Sequence, residues 1–242
     1  MVQCIVITGG SRGIGRATAI AAARRGWAVA INYAVNDDAA EATLQAVRRA
    51  GADGVAIRGD VAREPDVMAL FDKAQTLGAL QGVVVNAGIV APAAALADIS
   101  AERLRRVFEV NAIGAYLTAR EAARRLNRGG AIVLVSSMAA RLGAPNEYVD
   151  YAGSKGAIDT LTVGLARELA PSGVRVNAVR PGLVDTEIHA SGGRPDRAHV
   201  LGAQAPLGRA GRAEEVAEAI VWLLSDASSY VTGANIDVAG GR

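Results

Sequence analysis

The sequence predicts a doubly wound α/β fold, one parallel sheet with helices on both faces. Three observations predict it. Short, nearly continuous apolar runs alternate with longer Ala-rich stretches along the 242 residues. Runs of that kind are strands buried on both sides, as when helices cover both faces of a parallel sheet. The repetition strand–helix–strand is unbroken by linker, repeat or low-complexity segment, so one domain over residues 1–242 is expected.

The elements follow in order. The β-rich run Cys-Ile-Val-Ile makes residues 4–7 a first strand, and a glycine turn leads into an Ala-rich helix over 14–25. Ala-Val-Ala-Ile at 28–31 is a second strand, and 38–50 a helix with Asp37 and Asp38 as favourable N-terminal charges. Gly-Val-Ala-Ile at 54–57 is a third strand, followed by a helix over 65–76. Gly-Val-Val-Val at 82–85 is a fourth, and one long helix over 100–126 follows it. Residues 131–135 form a fifth strand, 151–170 a helix and 174–179 a sixth strand. A helix at 213–224 and a strand at 234–238 close the order. The stretch 187–212, rich in Gly, Ala, Arg and Pro, is irregular and is expected to be a substrate lid.

Half the residues are apolar, which excludes a disordered chain. The net charge is only +2 and the basic residues are scattered, with no basic stripe or aromatic platform, so nucleic acid is not expected as a partner. No apolar stretch is long enough to cross a bilayer, and no signal peptide is visible. The one cysteine, Cys4, lies inside the first strand and excludes an internal disulfide, which suits a cytoplasmic location. His189 and His199 fall in the irregular stretch, without metal-ligand spacing, and are assigned to loop surface. There is no Walker loop, serine nucleophile elbow or Cys–His pair.

Chemistry in such a fold sits at the carboxyl ends of the strands. The first strand runs into Thr8-Gly9-Gly10-Ser11-Arg12-Gly13-Ile14-Gly15 and then a helix. That order presents backbone N–H groups and a positive dipole end to a pyrophosphate. Tyr151 and Lys155 are four residues apart and share one helix face. A tyrosine is a poor acid–base catalyst near neutrality, and an ammonium beside it favours the phenolate. Of 26 basic residues only Lys73 and Lys155 are lysines. A lysine at 155, where this chain otherwise uses arginine, suggests a need for a compact ammonium.

Thr8-Gly9-x-x-x-Gly13-x-Gly15 resembles the cofactor signature of the short-chain dehydrogenase/reductase family, which has a Rossmann-type sheet. Asp60-Val61 after the third strand, Asn86-Ala87-Gly88 after the fourth, Tyr151-x-x-x-Lys155, and Pro181-Gly182-Leu183-Val184-Asp185-Thr186 after the sixth match further family motifs in order. The resemblance implies an enzyme that moves a hydride between NADP(H) and a carbonyl or secondary alcohol. It implies Tyr151 as proton donor, Ser137 as the group positioning the substrate oxygen, and Lys155 as tuner of the phenol and ribose ligand. Asn111 would bend the long helix and relay the proton through water. Ser137 is favoured over Ser136 by alignment to the family pattern. Its 14-residue separation from Tyr151 is slightly longer than usual, which implies a small insertion at 147–149. Tyr148 has Ala152, not lysine, four residues on.

The resemblance implies a cofactor site built from Gly9, Ser11, Arg12, Gly13, Ile14, Gly15, Asp60, Val61, Asn86, Ala87, Gly88, Pro181, Gly182, Val184 and Thr186, with Tyr151 and Lys155. The second strand ends Ile31-Asn32-Tyr33-Ala34, with no acid to repel a 2′-phosphate. Arg12 stands where NADP-preferring relatives carry a basic residue, and Asn32 and Tyr33 would add neutral hydrogen bonds. The substrate pocket is expected from the segments after Val90, after Met138 and over 187–206. A 3-oxoacyl-[acyl-carrier-protein] reductase is the alternative within the family. Arg128 matches the first of its carrier-docking arginines, expected near the mouth of the site, but Ser172 replaces the second. A non-catalytic NADPH-binding protein is a further alternative. A homotetramer is expected, built on the closing strand and on helix faces carrying Gly114, Ala115, Gly164 and Ala166.

Overall fold

The computed structural model describes residues 3–242. The first half of the chain gives β1 (Gln3–Ile7), α1 (Gly13–Ala23), β2 (Ala28–Tyr33), α2 (Asp37–Arg49), β3 (Gly54–Arg58), α3 (Glu64–Ala74) and β4 (Ala79–Val85). Then come α4 (Ala101–Phe108), a π-helical turn (Glu109–Ile113), α5 (Gly114–Arg125), β5 (Ala131–Val135), α6 (Ala139–Leu142) and α7 (Val149–Leu169). The chain continues through β6 (Arg175–Pro181), β7 (Val184–Asp185), α8 (Ile188–Ser191), α9 (Arg197–Gly202), β8 (Gly211–Arg212), α10 (Ala213–Leu224) and β9 (Asn235–Val238).

Seven strands form one sheet in the order β3-β2-β1-β4-β5-β6-β9, every neighbouring pair parallel. The order reverses between β1 and β4, which opens a crevice at their carboxyl ends. Alternation along β1 shows why the strands read as unbroken apolar runs. Cys4 and Val6 pack into a core with Phe71, Ile132 and Ile158, on the side of α3, α5 and α7. Ile5 and Ile7 pack into the opposite core with Val29, Ile220 and Leu223, on the side of α1, α2 and α10. Cys4 is fully buried, and burial pushes its thiol pKa up to about 12, so it is inert. Asn36 caps α2 through Ala39 N at 2.8 Å, with Asp37 and Asp38 in the first turn as expected.

Three expectations need correction. The helix over 100–126 is two helices joined by the π turn, in which Asn111 is buried. Within this wider turn the Asn111 amide bonds the Ile89 backbone, outside the helix. The stretch 187–212 is not wholly irregular: it holds α8, α9 and β8, which pairs back onto β7 just before the stretch. The small residues expected on subunit-facing helices divide. Ala115 and Ala166 are core residues, and a Cβ on Gly114 would lie 2.7 Å from Val61 Cγ2, so these three pack within the chain. Gly164 faces open space. No helix among the described residues is long and apolar enough to cross a membrane, and no group of three potential metal ligands occurs.

Candidate active site

The crevice begins at the turn after β1. Gly9 and Gly13 adopt φ of +63° and +51°, which disfavours any side chain. A Cβ on Gly15 would stand 2.3 Å from Gly9 O, and one on Gly10 2.6 Å from Ile31 Cβ. The turn is braced against its neighbours. Asn86 N and Ala87 N donate to Thr8 Oγ1 at 3.0 and 3.1 Å, while Asn86 Nδ2 donates to Thr8 O and Gly9 O at 2.9 and 3.0 Å. These bonds lock the ends of β1 and β4 together at the switch point. Thr8 and Gly10 were not among the candidate ligands; both stand in the turn motif, yet their tasks depend on contacts across strands.

Asn32 differs from expectation. Its amide donates to Gly59 O at 2.8 Å and Ile57 O at 3.5 Å, and its Oδ1 accepts from Gly9 N. Both N–H groups are thus engaged, and Asn32 acts as a clamp under the turn instead of offering a free donor to a phosphate. The Tyr33 phenol bonds Asp37, which raises its pKa. Arg12 is exposed on the rim, with no ion-pair partner among the described residues. Asp60 accepts from Ala62 N at 3.0 Å and from Arg106 at 3.0 Å. Burial pushes its carboxyl upward, but these two donors hold it below the usual range.

At the other end, α7 carries Tyr151 and Lys155 on one face. Burial raises the Tyr151 pKa; Ser137 and, at longer range, Arg197 pull it back without overcoming burial. Lys155 is 4% exposed, and its Nζ donates to Val135 O at 2.7 Å. Burial lowers its pKa to about 8, opposed by Asp159 one helical turn on. Burial is the largest influence on both groups. Ser136 is committed elsewhere, donating to Lys155 O at 3.2 Å, whereas Ser137 faces Tyr151. Asn111 accepts from Ile89 N at 2.8 Å and donates to Ile89 O and Ser154 Oγ at 2.9 and 3.1 Å. Its amide donors are engaged, so the side chain holds the segment after β4 and has no free N–H for a relay.

The loop after β6 closes the ring. A Cβ on Gly13 would meet the Thr186 methyl at 3.2 Å, and one on Gly182 would meet Ala239 Cα at 2.8 Å. The glycine turn, Asn32, Tyr33, Asp60-Val61, Asn86-Ala87-Gly88, Ser137, Tyr151, Lys155, Pro181, Gly182, Val184 and Thr186 all line one cleft of about 770 Å³. Gly15 and Asn111 stand behind its wall. The glycines leave a backbone cradle that side chains would fill, so the residues present fit a dinucleotide along this cleft.

Other residues appear where spacing gave no signal. The turn before α7 absorbs the extra length between Ser137 and Tyr151, with Ala144 and Asn146 at φ of 45° and 59°. It brings Glu147 and Tyr148 into the cleft wall, opposite Arg197 of α9. His189 is half-buried, not on the surface; its ring bonds Val184 O at 2.9 Å and burial lowers its pKa. His199 is exposed as expected. Arg128 precedes β5 and donates to Pro171 O at 3.3 Å. It lies at the amino ends of the strands, so within one chain it is not at the mouth of the cleft.

A dinucleotide cradle opening onto a Ser–Tyr–Lys set with a buried lysine defines a nicotinamide-dependent oxidoreductase of alcohols and carbonyls. A family model described as enoyl-(acyl carrier protein) reductase matches residues 9–242. The chain belongs to the short-chain dehydrogenase/reductase family. It is 50% identical to the uncharacterized oxidoreductase YgfF of Escherichia coli (strain K12), across 98% of both chains. It is 42% identical to a cis-4-hydroxycyclohexanecarboxylate dehydrogenase of Sinomonas cyclohexanicum, across 98% of this chain and 94% of the relative. A doubly substituted mutant of a Serratia marcescens short-chain dehydrogenase/reductase superimposes with a TM-score of 0.92, at 35% identity, covering 99% of this chain and 97% of the other.

Proposed function

We propose that the chain is an NADP(H)-dependent carbonyl reductase, running in reverse as a secondary-alcohol dehydrogenase, with Tyr151 as its acid and base. The observation that carries this reading is the convergence of Ser137, Tyr151 and Lys155 in the cleft that the glycine turn opens. The nicotinamide, when bound, supplies or accepts the hydride. The Tyr151 phenol gives its proton to the substrate oxygen, and Ser137 orients that oxygen. Lys155 has three N–H donors and uses one on Val135 O, which leaves two for a ribose. Asn111 contributes by fixing the backbone that runs past Lys155.

Arg12 supports NADP over NAD: its guanidinium, without an ion-pair partner among the described residues, lines the same cleft as Tyr33 and is suited to a 2′-phosphate. Residues 187–212 serve as the substrate lid of one catalytic domain over 1–242, in a homotetramer of the cytoplasm. A carrier-bound 3-oxoacyl substrate is the second reading within the family. The position of Arg128 at the far end of the sheet gives it no support within one chain. Loss of NADPH absorbance with a panel of ketones, β-ketoesters, quinones and sugars tests the function. Turnover of ketones is expected; cofactor binding without turnover of any carbonyl in the panel would point instead to a non-catalytic NADPH-binding protein.

A further inference from the structure

Arg197 stands on α9 in the lid and forms part of the wall of the same cleft that Ser137 and Tyr151 line. Its guanidinium lies over the Tyr148 ring, 5.2 Å from the centroid. Nη2 donates to Glu147 at 2.5 Å. Neither other nitrogen has an acceptor among the described residues, and Nε is buried without one. The side chain is 13% exposed and Nε is fully enclosed, so bulk water does not satisfy that N–H. Buried N–H groups almost always find a partner, and those on a charged group lose most when they do not.

The charge is not cancelled either. Glu147 also pairs with Arg194 at 3.2 Å, so two guanidinium groups share one carboxylate. The positive field of Arg197 reaches the chemistry, favouring the ionised form of Tyr151 and the neutral form of His189.

We infer that Arg197 is a specificity-determining residue that receives a carboxylate of the substrate, so that the enzyme acts on oxo acids and the matching hydroxy acids. This rests on the carbonyl-reductase reading above. A carboxylate brings the negative charge that the Arg194–Glu147–Arg197 cluster lacks and acceptor oxygens for a guanidinium that has only one partner. From its place on α9 in the cleft wall Arg197 would hold the anionic end of the substrate against the lid. The competing role is a strut, in which Arg197 only fastens the lid to Glu147.

The test compares acids with their neutral esters. Reduction of 4-oxopentanoate, 5-oxohexanoate and 4-oxocyclohexanecarboxylate by NADPH is measured against each methyl ester. The wild type is expected to favour the acid in at least one pair by about tenfold or more in kcat/KM, mainly through KM. Arg197→Gln should collapse that ratio, and Arg197→Lys should restore part of it. Glu147→Gln breaks the same lid contact but leaves the guanidinium, and should keep or increase the ratio. Calorimetry of the hydroxy acid on the enzyme–NADP⁺ complex should show weaker binding for Arg197→Gln and not for Glu147→Gln. Equal use of acid and ester by the wild type in every pair overturns the inference, as does an equal loss on both by Arg197→Gln. Those outcomes leave the reductase reading intact; absence of turnover with neutral ketones as well counts against the reductase reading itself.

Discussion

The Lys155 ammonium donates to the Val135 carbonyl oxygen at 2.7 Å, with the nitrogen 5.7 Å from the centroid of the Tyr151 ring. A charged amine is held under a phenol in a site dry enough to disfavour both charges. Burial lowers the lysine to about 8 and raises the tyrosine. The phenol therefore stays protonated through the neutral range, as a proton donor for carbonyl reduction requires. The folded lysine releases its proton below the unfolded pKa of 10.5. Between about 8 and 10.5 the unfolded chain binds more protons, so stability rises with pH in that window.

That linkage gives a pH prediction. Below pH 8 the buried ammonium costs the free protein up to about 3 kcal/mol, and the cost fades as the amine becomes neutral. Denaturant melts of wild type and Lys155→Met across pH 7 to 10.5 should converge or cross, with the wild type gaining the more. In kinetics, kcat/KM for reduction should fall as pH rises through about 8, where the ammonium is lost. Parallel stability profiles for the two proteins would mean that Lys155 is not the titrating group.

Tyr151 carries the next prediction. Tyr151→Phe removes only a hydroxyl at the end of the cleft away from the glycine turn. NADPH binding should persist, while kcat falls by roughly two to four decades, the range for a general acid. Tyr148→Phe should lose far less, since its phenol lies against Gly192 in the lid and it has no lysine one turn on. Titration of cofactor fluorescence alongside turnover checks both, and near-normal turnover by Tyr151→Phe would remove the residue from its assigned role.

Arg12 sets cofactor choice in the proposed reading. Charged hydrogen bonds contribute about 1.5–3 kcal/mol, so NADPH should bind at least roughly tenfold more tightly than NADH. Arg12→Ala should erase most of that gap by weakening NADPH alone. Because the Asn32 donors are engaged on Ile57 and Gly59, Asn32→Ala should loosen the turn and weaken both cofactors. Equal affinity of the wild type for the two cofactors would end the argument for Arg12.

How far the sequence could be read follows from the range of each interaction. The strand runs, the glycine turn and the Tyr151–Lys155 pair are local patterns, and period and spacing disclose them. Asn32 looked like a ligand because it ends a strand, yet its partners lie 25 and 27 residues away on β3 and beyond. The bend at Asn111 is implied only by the family resemblance, because a π turn has no spacing signature and the side-chain partner, Ile89, lies 22 residues away. Arg197 could not be singled out among 26 basic residues, since its position depends on how the lid folds back over Glu147.

Assembly is the last prediction, and the surface revises its basis. Gly114, Ala115 and Ala166 are used inside the chain, so they cannot form a subunit face. Among the charged residues exposed on the same helices stand larger apolar ones. Phe108, Ile113 and Tyr116 run from α4 through the π turn into α5, at 39%, 53% and 44% exposure. Val163 on α7 is 37% exposed, next to the open Gly164. A band of this kind on a charged surface marks an interaction site. Burial of one large aliphatic side chain contributes about 1.5–3 kcal/mol, and symmetry counts it twice in a dimer. A tetramer is expected in light scattering at micromolar concentration. Ile113→Arg and Val163→Arg should each reduce it to a smaller species without unfolding the monomer, because neither side chain belongs to the core. A wild-type monomer at that concentration, or arginine variants with unchanged mass, would show that this band has another use.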